Sequence, residues 1–292
     1  MLSNWAILAL ISAFSLATSD ALTKKALQVT DEYIVAFFRL LFSLPILIIV
    51  LLAIQKPSLD IYFYLSFICA IPLEIVAMVL YVKALKLSPM SLTLPFLSLT
   101  PVFLIFTSYI LVNERVSLQG FVGIMFIAVG GYILNLKDIK KGLFGPVKSI
   151  MKERGTVYMI FVAFIYSITS SLGKIAIEHS SPLYFGATYF LALTICFSLI
   201  IFKSSIADVK MFISSRKFMG LILPGIFYSI MIITHMLAMD MAKVSYMISV
   251  KRLSIMISVI YGFLLFKEEE IAQRFMGALL MFVGFVLIVN AR

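Results

Sequence analysis

Residues 114–130 read ERVSLQGFVGIMFIAVG and residues 268–284 read EEEIAQRFMGALLMFVG. Glu114, Gln119, Phe121, Gly123 and Gly130 thus return in register as Glu268, Gln273, Phe275, Gly277 and Gly284. Working outward at the same offset of 154 positions, Ala84, Ser91 and Leu99 return as Ala238, Ser245 and Leu253. A register held through apolar sequence, where many residue types are interchangeable, marks an internal duplication. Both copies lie in stretches that read as membrane helix. Internal repeats in such a chain are the signature of secondary transporters, whose substrate site lies between the halves.

Composition points the same way. The chain of 292 residues is 62% hydrophobic and 13% charged, with a mean hydropathy of +1.10. A soluble domain is about 45–50% apolar and about 25% charged. The net charge of +10 would suggest nucleic acid in a soluble protein. Here the Lys and Arg residues gather in short loops, where they set membrane orientation, so nucleic-acid binding is set aside. Cys69 and Cys196 fall in separate apolar stretches and read as packed thiols. Met1 leads into an apolar run with no basic flank or small-residue cleavage site, which predicts a retained helix in place of a signal peptide.

A span needs about 20 apolar residues. Ten windows qualify, at 3–23, 33–54, 61–82, 91–112, 118–136, 155–177, 183–202, 217–239, 245–266 and 271–290. The expectation is an all-α integral membrane protein with ten transmembrane helices in two inverted five-helix repeats around a central cavity. Residues 1–136 form the first repeat, 137–154 a basic connecting loop and 155–292 the second repeat. Five spans per half bring the second copy in from the opposite membrane face, so Glu114 and Glu268 end on opposite sides. Lys and Arg favour the loops after odd-numbered spans, which include 137–154, whereas the other loops and termini hold Lys56, Arg115, Lys243 and Arg292. This distribution predicts a cytoplasmic 137–154 loop in a cell (inner) membrane, with both termini outside.

An ionisable group at a span centre costs about 2.5–3.5 kcal/mol on insertion scales and marks a pathway by default. Lys251 and Arg252 are adjacent in span nine, with no acid near them in sequence. Neighbours on a helix point about 100° apart, so at least one faces the bundle interior unless both snorkel to the interface. Two fixed cations make an anion site, one a compact charge and the other a planar fork suited to carboxylate or phosphate. Asp20 and Arg39 approach from one membrane face and read as an ion pair or gate latch, with direct ligand contact as the other reading. Glu74 follows Pro72 and reads either as a proton-carrying coupling group or as a neutral core carboxyl. His235 aligns with Tyr81 in the repeat and reads as a substrate ligand or a satisfied core residue. Tyr81, Tyr228 and Tyr246, with Phe96 and Tyr166, either line the cavity or pack.

Glu114 and Glu268 close spans four and nine and are predicted to cap the helix that follows each. Gly123 and Gly130, like Gly277 and Gly284, share one helix face and allow close backbone approach, which suggests a packing spine and possible dimer surface. Monomer and homodimer both stand. His179 and His235 are the only histidines, and no spacing suits a metal or a catalytic constellation, so no cofactor, metal or enzyme activity is expected.

The run from Ala84 to Ser91, Leu99-Thr-Pro101-Val-Phe103, and then Glu114, Gln119, Gly123 and Gly130 resemble the drug/metabolite transporter superfamily, in its ten-helix EamA-type branch. The second copy resembles the same domain again. The resemblance implies transport of a small molecule across the bilayer, and two halves of opposite orientation predict alternating access, with a proton or a counter-substrate as the candidate coupling partners. Lys251-Arg252 is also similar to the Lys-Arg pair of plastid phosphate translocators in the same penultimate helix, which implies contact with a substrate phosphate. Those carriers have a second lysine in the pseudo-symmetric helix, where this chain has Leu97. The expected substrate is therefore a small organic anion or a zwitterion with a carboxylate. The alternative is an exporter of amino acids or amphiphiles with an aromatic cavity.

Overall fold

A computed structural model describes residues 3–27, 31–87, 94–134, 154–204, 206–266 and 271–291. The 137–153 part of the basic loop and Glu268 lie outside the described residues. Among the described residues the regular structure is entirely helical: α1 (Asn4–Leu27), α2 (Glu32–Ala53), α3 (Ile61–Leu87), a 3-10 segment (Leu94–Leu99) running into α4 (Thr100–Val112), and α5 (Leu118–Leu134). Then come α6 (Arg154–Glu178), α7 (Pro182–Ser204), the short α8 (Ile206–Ser214), a 3-10 segment (Lys217–Leu221), α9 (Ile222–Met241), α10 (Val244–Lys251), α11 (Leu253–Phe266) and α12 (Ile271–Val289).

Among the described residues six helical stretches are long and apolar enough to cross a membrane: Asn4–Thr23, Tyr33–Ala53, Ile61–Tyr81, Arg154–Glu178, Pro182–Leu199 and Lys217–Met241. Phe96–Val112, Leu118–Ile133 and Met276–Val289 are apolar but shorter. The burial pattern is inverted relative to a water-soluble helix. On α1 the small residues Ala6, Ala9, Ser12, Ala13 and Ala17 are buried, while Ile7, Ile11 and Phe14 are exposed. Hydrocarbon outside removes the penalty on exposed aliphatics, and small residues inside let helix backbones approach. Cys69 departs from its expected packing: it lies on an exposed face, and both cysteines are free.

The repeat is visible in the packing. Shifting by the sequence offset maps α1 onto α6, α2 onto α7, α3 onto α9, α4 with its 3-10 lead onto α10 and α11, and α5 onto α12. Contacts obey this exchange. α3 packs along α6 as α1 packs along α9, α4 lies on α6 as α11 lies on α1, and α2 meets α7 while α5 meets α12. At the last contact a Cβ on Gly123 would lie 2.9 Å from the Gly284 carbonyl, and one on Gly130 would lie 2.7 Å from the Gly277 carbonyl. Residue numbers rise on one helix as they fall on the other, so the equivalent helices α5 and α12 cross antiparallel.

Two helices expected to be continuous are broken. The 91–112 window becomes a 3-10 segment and α4, and the 245–266 window becomes α10 and α11 with a turn at Arg252. There the Arg252 amide reaches both the Ile248 and Ser249 carbonyls at 3.1 Å, and Ile255 returns to the Arg252 carbonyl at 3.0 Å. This tightening from four-residue to three-residue bonding occurs without Gly or Pro. The two breaks fall at nearly equivalent points of the halves and set Arg252 opposite Thr100.

Candidate substrate site between the halves

Helical spacing assembles the site in equivalent pairs. Glu74 and Tyr81 are seven residues apart on α3, hence on one face, and Tyr228 and His235 occupy the equivalent positions on α9. α1 adds Asp20, α2 adds Arg39, α6 adds Tyr166, α7 adds Tyr189, and the break after α10 adds Lys251 and Arg252. These groups act on one another electrostatically. Lys251 feels Arg252, Glu74 and Asp20; Tyr81 feels Asp20, Arg39 and Arg252; and Tyr166 feels Glu74, Tyr81, Tyr228 and Arg252.

Arg39 Nη1 meets Asp20 Oδ1 at 2.5 Å, and its guanidinium carbon lies 4.5 Å from the Tyr228 ring centre. The Asp20 side chain is 50% exposed and that of Arg39 22%, so the ion pair is only partly covered. Glu74 lies close to the Thr169 side chain and within electrostatic reach of Lys251. Lys251 Nζ lies 3.1 Å from His235 Nδ1, and Arg252 Nη2 donates to Thr100 Oγ1 at 2.8 Å across the halves. Arg252 Nε is buried with no acceptor among the described residues, as is Arg39 Nε. A buried N–H without an acceptor forfeits about 1–3 kcal/mol, so such donors call for an explanation. Three cations, Arg39, Lys251 and Arg252, face two carboxyls, Asp20 and Glu74, which leaves the cluster electropositive.

The structure does not bring Tyr246 to this cluster. Its hydroxyl sits at one end of the bundle, 3.0 Å from the Ser117 amide and 3.1 Å from the Ser117 hydroxyl, and its ring end fills the space beside Gly120. Phe96 packs with Tyr132 at a centroid distance of 5.9 Å. Glu114 is a cap, but not of the helix that follows it. Its Oε2 accepts the Val244 amide at 2.8 Å, at the start of α10 in the other half. The 113–117 turn runs back across the bundle end, which puts the carboxylate over α10 and not over its own α5. Burial drives the Glu114 carboxyl above its usual range, partly offset by the Val244 amide and the nearby Lys174.

Lys174, at the edge of span six, also has a structural role. It is buried, and its ammonium donates to the Met239 and Asp240 carbonyls at 2.8 and 2.9 Å, closing the C-terminal end of α9. The available signal was the offset itself, which aligns Lys174 with Asp20. His179 was unassigned from the sequence. Its Nδ1 lies 2.6 Å from Asp60 Oδ2, joining the end of α6 to the start of α3.

The sequence profile of the EamA-like transporter family matches residues 3–136 and 153–290. The chain belongs to the EamA-like transporter family. The two matched segments correspond to the two halves related by the offset, so the resemblance to EamA-type transporters holds over nearly the whole chain. The protein is thus a multi-pass membrane protein of a transporter family. A solved crystal structure shares the fold at a TM-score of 0.75 and 14% identity, covering 98% of this chain and 96% of that one. No curated protein matches the sequence.

Proposed function

We propose that this EamA-family chain is a secondary active transporter that carries a small organic anion, or a zwitterion with a carboxylate or phosphate group, by alternating access. Lys251 and Arg252 hold the anionic group, and Tyr81, Tyr166 and Tyr228 flank the remainder. The observation that carries this reading is the pair of adjacent cations with no carboxylate in ion-pair contact among the described residues, one of them with a buried Nε that no protein acceptor fills. An incoming oxyanion supplies that acceptor. Glu74 and the Asp20–Arg39 pair serve coupling or gating, to a proton or to a counter-substrate.

In this reading ten spans form two inverted five-helix repeats, with α10 and α11 together making span nine. The antiparallel crossing of α5 and α12 supports the inversion, and the Lys/Arg distribution supports a cytoplasmic 137–154 loop. The test is saturable counter-transport in proteoliposomes loaded from a metabolite library. Lys251→Gln and Arg252→Gln are each expected to weaken apparent affinity about ten- to a hundredfold, the loss of a charge-assisted hydrogen bond. Unchanged affinity in both variants would favour the second reading, an exporter of amino acids or amphiphiles, which the wall of Tyr81, Tyr166, Tyr189 and Tyr228 supports.

A further inference from the structure

Among the described residues Lys251 has one side-chain partner, the imidazole of His235, at 3.1 Å from Nζ to Nδ1. With Lys251 as an ammonium, which carries only donors, Nδ1 accepts its hydrogen bond. The ring is then uncharged, with its proton on Nε2. Lys251 and Arg252 are the charged groups that act on the ring. The other charged groups of the cluster are Asp20 from α1, Arg39 from α2 and Glu74 from α3.

Equivalence between the halves separates what the fold needs from what the site needs. Features that hold the two-fold architecture recur, as the crossing glycines do. His235 and Lys251 do not recur, since their equivalents are Tyr81 and Leu97. The contact is also directed. His235 lies on α9 and Lys251 ends α10, and the two helices are joined through Ala242 and Lys243, so the imidazole fixes where a long, four-carbon side chain points. Without that acceptor Lys251 could swing away from Arg252 and back toward the carbonyls of its own helix end.

We propose that His235 is the positioning residue of the anion site: its uncharged Nδ1 accepts a hydrogen bond from the Lys251 ammonium and holds that group beside Arg252, without itself touching substrate. The proposal rests on the reading of Lys251 and Arg252 as the anion site.

The test follows the amine directly. The purified full chain is treated with trinitrobenzenesulfonate, and modification of Lys251 is timed by peptide mass spectrometry. In His235→Phe the amine is no longer held, and labelling is expected to rise on the order of tenfold, the scale of a hydrogen bond to a charged group. His235→Ala should behave alike and serves if the phenylalanine variant misfolds. His235→Asn, whose amide oxygen can stand where Nδ1 stands, should label at the wild-type rate. A wild-type rate in both apolar variants, or an asparagine variant as fast as they are, would overturn the proposal.

Flux measurements separate this outcome from failure of the anion site. If Lys251→Gln and Arg252→Gln lose affinity while labelling is indifferent to position 235, only the positioning role is lost. If labelling behaves as expected but both glutamine variants transport with unchanged affinity, the anion site falls, and the role of His235 in it falls too.

Discussion

Glu114 and Val244 belong to opposite halves of the chain, and the carboxylate of one caps the helix that the other begins, Oε2 to amide nitrogen at 2.8 Å. Beside this cap Lys243 Nζ donates to the Arg115 carbonyl at 2.7 Å, and Tyr246 holds Ser117. The halves are therefore bonded together at this end of the bundle. Glu114→Ala removes a helix cap and should lower stability by about 1–2 kcal/mol, read as a drop in the unfolding midpoint of the purified protein. Glu114→Gln keeps an acceptor and should lose less. An alanine variant as stable as wild type would remove the cap from the account.

Tyr246 and Thr100 should separate packing from binding. Tyr246→Phe deletes a hydroxyl that serves the Ser117 turn, so stability should fall by about 1 kcal/mol with substrate affinity unchanged. Thr100→Val deletes the partner of Arg252 Nη2, so affinity should fall about five- to tenfold, less than in Arg252→Gln. Thermal unfolding and flux on the same two preparations check both; the opposite pattern would move the site to the Tyr246 end.

The glycine crossing tolerates no side chain. A Cβ at Gly284 would stand 2.6 Å from the Gly123 carbonyl and 2.9 Å from the Ile127 amide nitrogen, both backbone atoms that cannot step aside cheaply. Gly284→Ala should cost about 1–3 kcal/mol by overpacking. Gly220→Ala, where nothing lies within 4 Å, is the control and should leave the unfolding midpoint in place.

Acid should weaken the link between the start of α3 and the end of α6. Desolvation is the largest single influence on the Asp60 carboxyl and raises it, but the Phe63 amide, His179 and the Tyr62 amide together outweigh it, and the group lies below its usual value of 3.8. A carboxyl depressed by folding stabilises the folded state above its unfolded pKa. That contribution disappears as pH falls from about 4 through the depressed value. The unfolding midpoint of wild type should therefore fall across that acid window more steeply than that of Asp60→Asn. Parallel curves would dismiss the contribution.

The sequence by itself determined the repeat, the helical membrane class and the glycines at which α5 and α12 meet. Those features are written in local chemistry and fixed spacing: apolar run length, a constant offset, and residues small enough for backbone contact. It also singled out Asp20, Arg39, Glu74, Lys251 and Arg252 as ionisable groups within spans and left Tyr81, Tyr228 and His235 open between cavity and packing; the structure brings these eight side chains near one another. Tertiary structure decided the rest. The turn at Arg252 has no Gly or Pro to announce it and exists only where the two broken helices face each other. Glu114 caps a helix 130 residues away in sequence because the chain crosses the bundle end, a path that no local rule contains. Lys174 and Tyr246 look alike in sequence as polar groups near span ends, yet one closes α9 and the other fills the space at Gly120. Periodicity fixes which residues share a face of a helix; which neighbour that face meets is a property of the whole bundle.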